Sequence, residues 1–350
     1  MSSTDASLVE VLPAHRFDEE VLRRYLSGRL PGFDGEIAVR QFQGGQSNPT
    51  FHVQTDAGAY VLRKKPGGQL LASAHAIDRE FTVMRALAGT GVPVPRVDLY
   101  CDDAEVIGQE FYVMEHIAGR VLRETLLPDL DPSRRAGVWL ETVRVLAKVH
   151  RVDHRAVGLD SFGRSDGYIG RQVNRWSRQY EDSKVEDNAD MDRLIEWLRT
   201  HDAPADEASI VHGDYRTHNV IFHPDEDRIV AVIDWELSTI GHPLADLAYC
   251  CLPYHLAPDD TIGLRGSDPA SVGLPSEREL LEAYCREAGR PDAGDWNYFV
   301  VFAMFRMAAI RAGIFKRARS GNAANADAMA AGLRYRITAT RAWALAQQHD

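Results

Sequence analysis

Residues 212–219 read HGDYRTHN, and residues 232–235 read VIDW. Together they place Asp214, Asn219 and Asp234 in one short part of the chain. Phosphoryl transfer from a nucleotide needs such a set. One carboxylate orients or deprotonates the attacking hydroxyl, while an amide oxygen and a second carboxylate hold Mg²⁺ against the phosphates. The two stretches therefore indicate a phosphoryl-transfer site.

The segments around these residues predict that they lie on loops between strands. Residues 209–211, 220–222 and 229–233 are short apolar runs, and a polar turn signal separates the last two runs. The spacing resembles the protein-kinase pattern H-R-D-x-x-x-x-N followed by D-F-G, with H-G-D and D-W-E in their place. The alternative is an ordinary hairpin with polar turn residues.

A glycine turn lies upstream, where residues 41–48 read QFQGGQSN and residues 51–55 form a return strand. The glycines Gly44 and Gly45 would let backbone N–H groups approach phosphates, and Ser47 could add a hydroxyl. A pair of glycines between strands is also typical of a plain hairpin turn.

The next strand ends in basic residues, since residues 59–65 read AYVLRKK. Kinases carry their phosphate-binding lysine at such a strand end. Arg63 falls in that register and can grip phosphate with two hydrogen bonds. Lys65 shares the face of Arg63, so either residue could be the phosphate clamp. A basic strand end in solvent is the alternative.

Residues 77–87 carry apolar side chains at helical spacing and predict an amphipathic helix. Glu80 on this helix would pair with Arg63 and hold it against the phosphates. The alternative for Glu80 is a solvated surface charge, which is the commoner position of a glutamate on such a helix.

Residues 111–117 read FYVMEHI and predict an apolar strand. In a two-lobed kinase this strand would lead into a hinge, where the backbone from Glu115 to Ile117 contacts the edge of the adenine. A plain core strand explains the same pattern.

From about Phe42 to about Ala312 the chain resembles the aminoglycoside phosphotransferase superfamily of small-molecule kinases. A closer resemblance, to the kinase-like domains fused to some acyl-CoA dehydrogenases, is carried by QFQGGQSNPT (41–50), YVLRKKP (60–66) and QVNRW (172–176). The resemblance implies an α+β, bilobed protein-kinase-like fold. Residues 1–117 would form a small N-terminal antiparallel β lobe with one helix, which binds nucleotide. Residues 118–350 would form a larger, mainly helical lobe for catalysis and substrate.

The resemblance also implies the roles of single residues. Asp214 would be the catalytic base, and Asn219 and Asp234 the magnesium ligands. Asp246 would be a buried carboxylate that braces the catalytic loop. Many members have Lys at the position of Arg63, although some choline-kinase-like members carry Arg. The residues expected to bind the nucleotide are Gly44, Gly45, Ser47, Arg63, Glu80, Glu115 and Ile117.

Composition bounds the partners and the compartment. The 350 residues carry a net charge of −11, which argues against a nucleic-acid surface. The four cysteines include no C-x-x-C pair, and Met1 to Glu10 has no signal-peptide pattern, so we expect a cytoplasmic protein. Residues 298–315 are apolar but contain Arg306 and Arg311, which predicts a core helix too short and too charged to span a membrane.

These observations predict a phosphotransferase that uses ATP and Mg²⁺ and acts on a hydroxyl of a small molecule. The acceptor could be a 4-hydroxyacyl-CoA, which Arg171, Arg175 and Arg178 would suit. It could also be an aminoglycoside, which needs an acidic pocket. Residues 158–207 and 253–276 are candidates for the substrate pocket and lid. Acidic side chains that could serve an aminoglycoside are Glu181, Asp182, Glu186, Asp187, Asp190 and Asp192.

Two other functional classes remain. A nucleotide-binding pseudokinase module would be expected to lack the base or a metal ligand, whereas Asp214, Asn219 and Asp234 are all present. A protein kinase would need an activation loop between D-F-G and A-P-E motifs, and the sequence has no such segment. The choice between ATP and GTP and the oligomeric state stay open.

Overall fold

The structure, a computed structural model, describes residues 8–43, 48–67, 76–258, 262–321 and 327–348. The strands in these ranges are β1 (Leu8–Val9), β2 (Ala38–Phe42), β3 (Thr50–Thr55), β4 (Gly58–Lys64), β5 (Val97–Cys101), β6 (Phe111–Glu115), β7 (Ser209–Val211), β8 (Val220–Phe222), β9 (Ile229–Val232) and β10 (Thr239–Gly241). The helices are α1 (Glu19–Leu26), α2 (Ile77–Leu87), α3 (Ala104–Ile107), α4 (Pro132–Arg151), α5 (Tyr168–Ser183), α6 (Ala189–Thr200), α7 (Pro243–Cys251), α8 (Glu277–Ala288), α9 (Trp296–Arg319), α10 (Ala328–Leu333) and α11 (Tyr335–Ala346).

The chain divides into two compact units. The β unit comprises Met1–Arg123, Arg155–Leu159 and Thr217–Ser238, and the helical unit comprises Glu124–His154, Asp160–Arg216 and Thr239–Asp350. The segment from Thr217 to Ser238 joins the β unit because Arg63 and Asn48 bond to carboxylates within it. The two-lobe division at residue 117 stays a prediction.

The β unit is built on an antiparallel sheet with the strand order β1-β2-β3-β4-β6-β5. Side chains alternate between its two faces. On one face Phe51, Leu62 and Phe111 pack with α1 and α3 in a core from which water is excluded. Each such side chain contributes roughly 1.5–3 kcal/mol by burial. The other face carries Arg63 opposite Tyr112 in the ladder.

The helices of the β unit include the one predicted over residues 77–87, which is present as α2 with those bounds. Two shorter helices, α1 and α3, accompany it. Helix α1 begins after Asp18, whose carboxylate accepts hydrogen bonds from the N–H groups of Glu20 and Val21, both at 3.0 Å. Such a cap satisfies donors that have no partner inside the first turn.

Strand pairing around the HGD stretch excludes the ordinary hairpin. Strand β7, before the stretch, pairs with β10 in the helical unit, whereas β8, after it, pairs with β9 in the β unit. The strands on either side of the stretch are therefore not partners of one another.

The helical unit is centred on α9, which packs against α5, α7, α10 and α11. Every residue from Tyr298 to Ala309 is buried. The helix is longer than the predicted range of residues 298–315, because α9 runs for 24 residues. By length and composition alone it could cross a membrane, so the prediction that it is too short and too charged to do so was wrong. However, 89% of its most apolar window is buried inside the protein, as expected of a core helix.

Candidate active site

Arg63 is the centre of a charged cluster in the β unit. Its Nη2 donates a hydrogen bond to Asp234 Oδ1 at 2.6 Å, and its Nε lies 3.3 Å from Glu80 Oε1. Glu236 Oε2 lies 3.8 Å from the same Nη2. Burial alone would lower the pKa of Arg63, but Glu80 and Asp234 more than offset this and raise it. Arg63 is therefore a fixed cation, and the predicted contact between Arg63 and Glu80 is present.

Glu80 is completely buried and is not the surface charge that its helix position allowed. Its two oxygens accept hydrogen bonds from the Tyr112 hydroxyl at 2.9 Å and from Asn48 Nδ2 at 3.2 Å. Burial raises the pKa of Glu80 to about 7, and although Arg63 acts against this shift, the nearby Asp234 carboxylate adds to it. Glu80 can therefore change its charge near neutral pH.

Asp234 lies in a strained turn. Its φ of 68° and ψ of 55° are left-handed, a conformation that costs a residue other than glycine about 1–3 kcal/mol. The following residue, Trp235, is completely buried, and its Nε1 donates to the carbonyl of Val232 at 3.0 Å. The backbone N–H of Ser238 donates a hydrogen bond to the carbonyl of Trp235 at 3.0 Å, which closes the turn. Packing of the indole thus holds the Asp234 carboxylate beside Arg63.

Asn219, the other predicted magnesium ligand, lies at the same end of the β8–β9 ribbon as Asp234. Val220 is opposite Val232 in the ladder, and the Asn219 carbonyl accepts a hydrogen bond from the Ile233 N–H at 3.0 Å. Asn219 is buried at the end of a 3₁₀ turn. The antiparallel pairing explains why residues fifteen positions apart reach one end of the ribbon.

Three carboxylates surround the single guanidinium of Arg63. Ligand oxygens of Glu80, Asp234 and Glu236 lie within 4.8 Å of one another. Asn48 connects two of them, since its Nδ2 is 3.2 Å from Glu80 and 3.3 Å from Glu236. Carboxylate oxygens grouped in this way suit a hard divalent cation such as Mg²⁺. The sequence reasoning gave no role to Glu236, Asn48 or Tyr112, although the D-W-E motif contains Glu236.

The neighbouring lysines have other partners. Lys64 Nζ donates to the carbonyl of His15 at 3.3 Å, and burial lowers the pKa of Lys64. Lys65 Nζ bonds to Glu110 at 3.3 Å. Of the candidate clamps left open by the sequence, Arg63 is the one that joins Glu80 and Asp234.

The predicted hinge residues lie at the end of β6, which is paired with β4 and β5. The Glu115 N–H donates to the carbonyl of Arg96 at 2.9 Å, and the His116 N–H donates to the carbonyl of Ala59 at 3.2 Å. These bonds fix the backbone just before Ile117, which is half-buried. Contact of this segment with adenine stays a prediction. The predicted phosphate loop residues Gly44, Gly45 and Ser47 lie outside the described residues.

Asp214, the predicted base, lies in the helical unit on a loop braced by Asp246. The buried Asp246 carboxylate accepts hydrogen bonds from the N–H groups of His212 at 2.6 Å and Gly213 at 2.9 Å. Burial would raise the pKa of Asp246, but bonding to His150 and His212 more than offsets this and lowers it. Gly213 has a φ of 85°, which favours glycine. The predicted bracing role of Asp246 is confirmed.

Two side chains lie beside the Asp214 carboxylate. Arg216 Nη2 donates to its Oδ2 at 2.9 Å, and the Tyr249 phenol lies close enough for the charge of Asp214 to act on it. Burial raises the pKa of Tyr249, and the negative charge of Asp214 raises it further. Tyr249 therefore stays protonated beside Asp214.

Arg306 also contacts this loop, and the sequence reasoning assigned it no site role. It lies on α9 and donates from Nη2 to the carbonyl of Gly213. Its guanidinium lies 4.4 Å from the ring centre of Tyr249 and 5.2 Å from that of Trp176. A charge in the middle of an otherwise apolar helix is the signal that could have identified it. Trp176 itself is a buried residue of α5.

The fold is that of kinase-like phosphotransferases, as predicted from the sequence. The model of the phosphotransferase enzyme family (APH) matches residues 38–294. Acyl-CoA dehydrogenase family member 11 of Rattus norvegicus is 44% identical over 326 residues, which are 91% of this chain and 42% of that protein. The chain belongs to the phosphotransferase enzyme family and spans less than half of that relative.

Solved structures agree with this assignment. A protein of Ralstonia eutropha JMP134, provisionally named as an aminoglycoside phosphotransferase, has a TM-score of 0.88 and 45% identity, covering 95% of this chain and 99% of that chain. An aminoglycoside phosphotransferase crystallised with ADP and hygromycin B has a TM-score of 0.60 and 17% identity, covering 92% and 98%. The second likeness shows the fold alone. The predictions of an α+β kinase-like fold and of a phosphotransferase are confirmed.

Proposed function

We propose that the chain transfers the γ-phosphoryl group of ATP to a hydroxyl of a 4-hydroxyacyl-CoA. The observation that carries the phosphotransferase part is the Arg63 cluster, in which a buried Glu80 and a strained Asp234 hold one guanidinium. Kinase-type transfer uses such a cation on the phosphates and such carboxylates for the metal. The complex of a related fold with ADP supports a nucleotide as donor.

In this proposal Asn219 and Asp234 hold Mg²⁺, and the oxygen-rich surroundings of Asp234 fit that ion. When bound, Mg²⁺ would neutralise charge on the β and γ phosphates. Arg63 grips a phosphate, and Glu80 fixes the direction of Arg63. Asp214 accepts the proton of the attacking hydroxyl, and the hydrogen bond from Arg216 sets the direction of its carboxylate.

An anionic acceptor is supported by the α5 arginine face, which we define as Arg171, Arg175 and Arg178. Their spacing places them on one side of the helix, and Arg175 and Arg178 are exposed. Within the described parts of the chain none of the three forms an ion pair. Arg175 lies 5.4 Å from the Trp176 ring, which Arg306 also contacts, and Arg306 in turn bonds to Gly213 in the Asp214 loop. Guanidinium groups in this position suit phosphate groups of an acceptor.

Several carboxylates of the acidic cluster expected for an aminoglycoside already have partners within the protein. Glu186 pairs with Arg336 at 2.5 Å and accepts from the Tyr335 hydroxyl at 2.5 Å. Lys184 pairs with Asp187 and Asp192. These carboxylates stabilise α5, α6 and α11 and are a poor pocket for a polycation. The name of the rat relative, an acyl-CoA dehydrogenase, supports an acyl-CoA, whose phosphates match the arginine face.

The test is incubation of the purified chain with Mg²⁺-ATP and 4-hydroxypentanoyl-CoA, with products identified by mass spectrometry. Pentanoyl-CoA is the matched control, because it keeps the CoA but lacks the hydroxyl. We expect ADP and a phosphorylated thioester only with the hydroxylated compound. Phosphorylation of an aminoglycoside instead would contradict the proposal that the acceptor is a 4-hydroxyacyl-CoA. Nucleotide binding without transfer to any acceptor would indicate a pseudokinase module.

A charge variant tests the arginine face separately. Arg175→Gln together with Arg178→Gln should raise KM for the acyl-CoA about tenfold and leave KM for ATP unchanged, since phosphate contacts are lost only on the acceptor. Arg278→Gln is the control, because Arg278 is an exposed arginine paired with Glu282 at 3.0 Å. If the double variant and Arg278→Gln changed KM for the acyl-CoA equally, the arginine face would not be part of the acceptor site.

A further inference from the structure

A buried cation holds the loop that carries Asp214. Arg306 is 7% exposed and lies in the fully buried run of α9. Burial of a guanidinium is unfavourable unless its charge and donors are compensated. Its Nη2 donates to the carbonyl of Gly213, the residue directly before Asp214. Its Nε makes no hydrogen bond within the described parts of the chain. The compensation therefore comes largely from the loop and from aromatic rings.

Two rings flank the guanidinium of Arg306. The Tyr249 ring centre lies 4.4 Å away and the Trp176 ring centre 5.2 Å away, both within the range of cation–π attraction. The Tyr249 phenol in turn lies near Asp214, whose charge raises the pKa of Tyr249. Arg306 thus contacts both the carbonyl next to Asp214 and the ring that lies beside Asp214.

We propose that Arg306 is a positioning residue for Asp214. It fixes the backbone of the loop through Gly213 and fixes the Tyr249 ring through its charge, so the carboxylate has one orientation. The kinetic consequence rests on the proposed function, in which Asp214 is the base. The structural consequence, an ordered loop, does not depend on the acceptor. A base displaced by about 1 Å can slow a reaction roughly 100-fold, so the loss should be in kcat.

The chain offers a matched control on the same helix. Arg311 is also buried, but its Nη1 donates to Thr338 Oγ1 at 2.8 Å instead of to the loop. Arg306→Gln and Arg311→Gln both remove a buried cation from α9, and only the first removes a contact with the Asp214 loop. Arg306→Lys retains the cation and a donor. If Arg306→Gln does not fold, Arg306→Lys is compared with Arg311→Lys.

The first readout is hydrogen–deuterium exchange of the amides from His212 to Asp214 in the chain without ligand. Arg306→Gln should speed exchange there about tenfold, because local opening becomes easier. Arg311→Gln should leave these amides as they are in the wild type, and Arg306→Lys should give an intermediate rate. Equal exchange in the two glutamine variants would overturn the proposal.

The second readout is turnover with Mg²⁺-ATP and 4-hydroxypentanoyl-CoA. Arg306→Gln should lower kcat roughly 100-fold while KM for ATP changes little, and Arg306→Lys should recover part of the loss. A kcat for Arg306→Gln equal to that of Arg311→Gln would overturn the positioning role. If the wild type phosphorylates no acceptor, the proposed function fails. The exchange experiment still tests whether Arg306 orders the Asp214 loop.

Discussion

Replacing Glu80 with Gln should change how stability depends on pH. Glu80 is completely buried beside Asp234, and its pKa rises from 4.5 to about 7. That rise corresponds to about 3 kcal/mol, at 1.36 kcal/mol for each pH unit. Because the folded-state pKa is the higher one, this stabilisation is complete below about pH 4.5 and is lost as the pH rises through about 7. A glutamine does not titrate and removes this dependence.

The assay is urea unfolding of both proteins from about pH 4.5 to about pH 8. The free energy of unfolding of the wild type minus that of Glu80→Gln should fall by about 3 kcal/mol over this range. Glu110→Gln, which removes a carboxylate of the β unit outside the Arg63 cluster, is the control for general effects of pH. If this difference in the free energy of unfolding stays constant or grows with pH, the pKa of Glu80 is not raised. Glu80 would then be ionised throughout the range as the partner of Arg63.

Further predictions concern the metal and the loop brace. Binding of Mg²⁺ near pH 7 should release a proton, since the positive charge of the ion lowers the pKa of Glu80 from about 7. Calorimetry in buffers of different ionisation enthalpy measures this release, which should vanish in Glu80→Gln; equal release in both proteins would contradict it. Asp246→Asn should lower the free energy of unfolding at neutral pH by about 3 kcal/mol, because asparagine keeps only one of the two oxygens that accept hydrogen bonds from the buried N–H groups of His212 and Gly213. The lowered pKa of Asp246 means that its stabilisation is present above about pH 3.8 and disappears below it, so urea unfolding should show a smaller penalty in acid.

Local patterns predicted the elements of the β unit well. The apolar spacing of residues 77–87 identified α2 with its bounds, since a helix of this length repeats one buried face. The pairing of Arg63 with Glu80 followed from the kinase arrangement, in which a basic residue at a strand end pairs with a carboxylate on the next helix. The spacing of Asp214, Asn219 and Asp234 identified a kinase-like phosphotransferase, because the chemistry itself demands those residue types.

Contacts between distant residues could not be predicted in the same way. Asn48 and Glu236 are 188 positions apart, and Arg306 and Gly213 are 93 positions apart. A polar residue carries no local sign of a partner that only tertiary packing supplies. The separate partners of β7 and β8 could not be predicted for a similar reason. Short apolar runs indicate that strands are present but not which strand each one pairs with.

The central claim is that Asp214 is the base of an ATP-dependent phosphotransferase. Its most direct test compares wild type and Asp214→Ala in acceptor-dependent formation of ADP, with Mg²⁺-ATP and 4-hydroxypentanoyl-CoA. We expect a loss of kcat of roughly 100- to 10,000-fold, with the Kd for Mg²⁺-ATP nearly unchanged. If turnover persists in Asp214→Ala, Asp214 is not the base and another residue has that role.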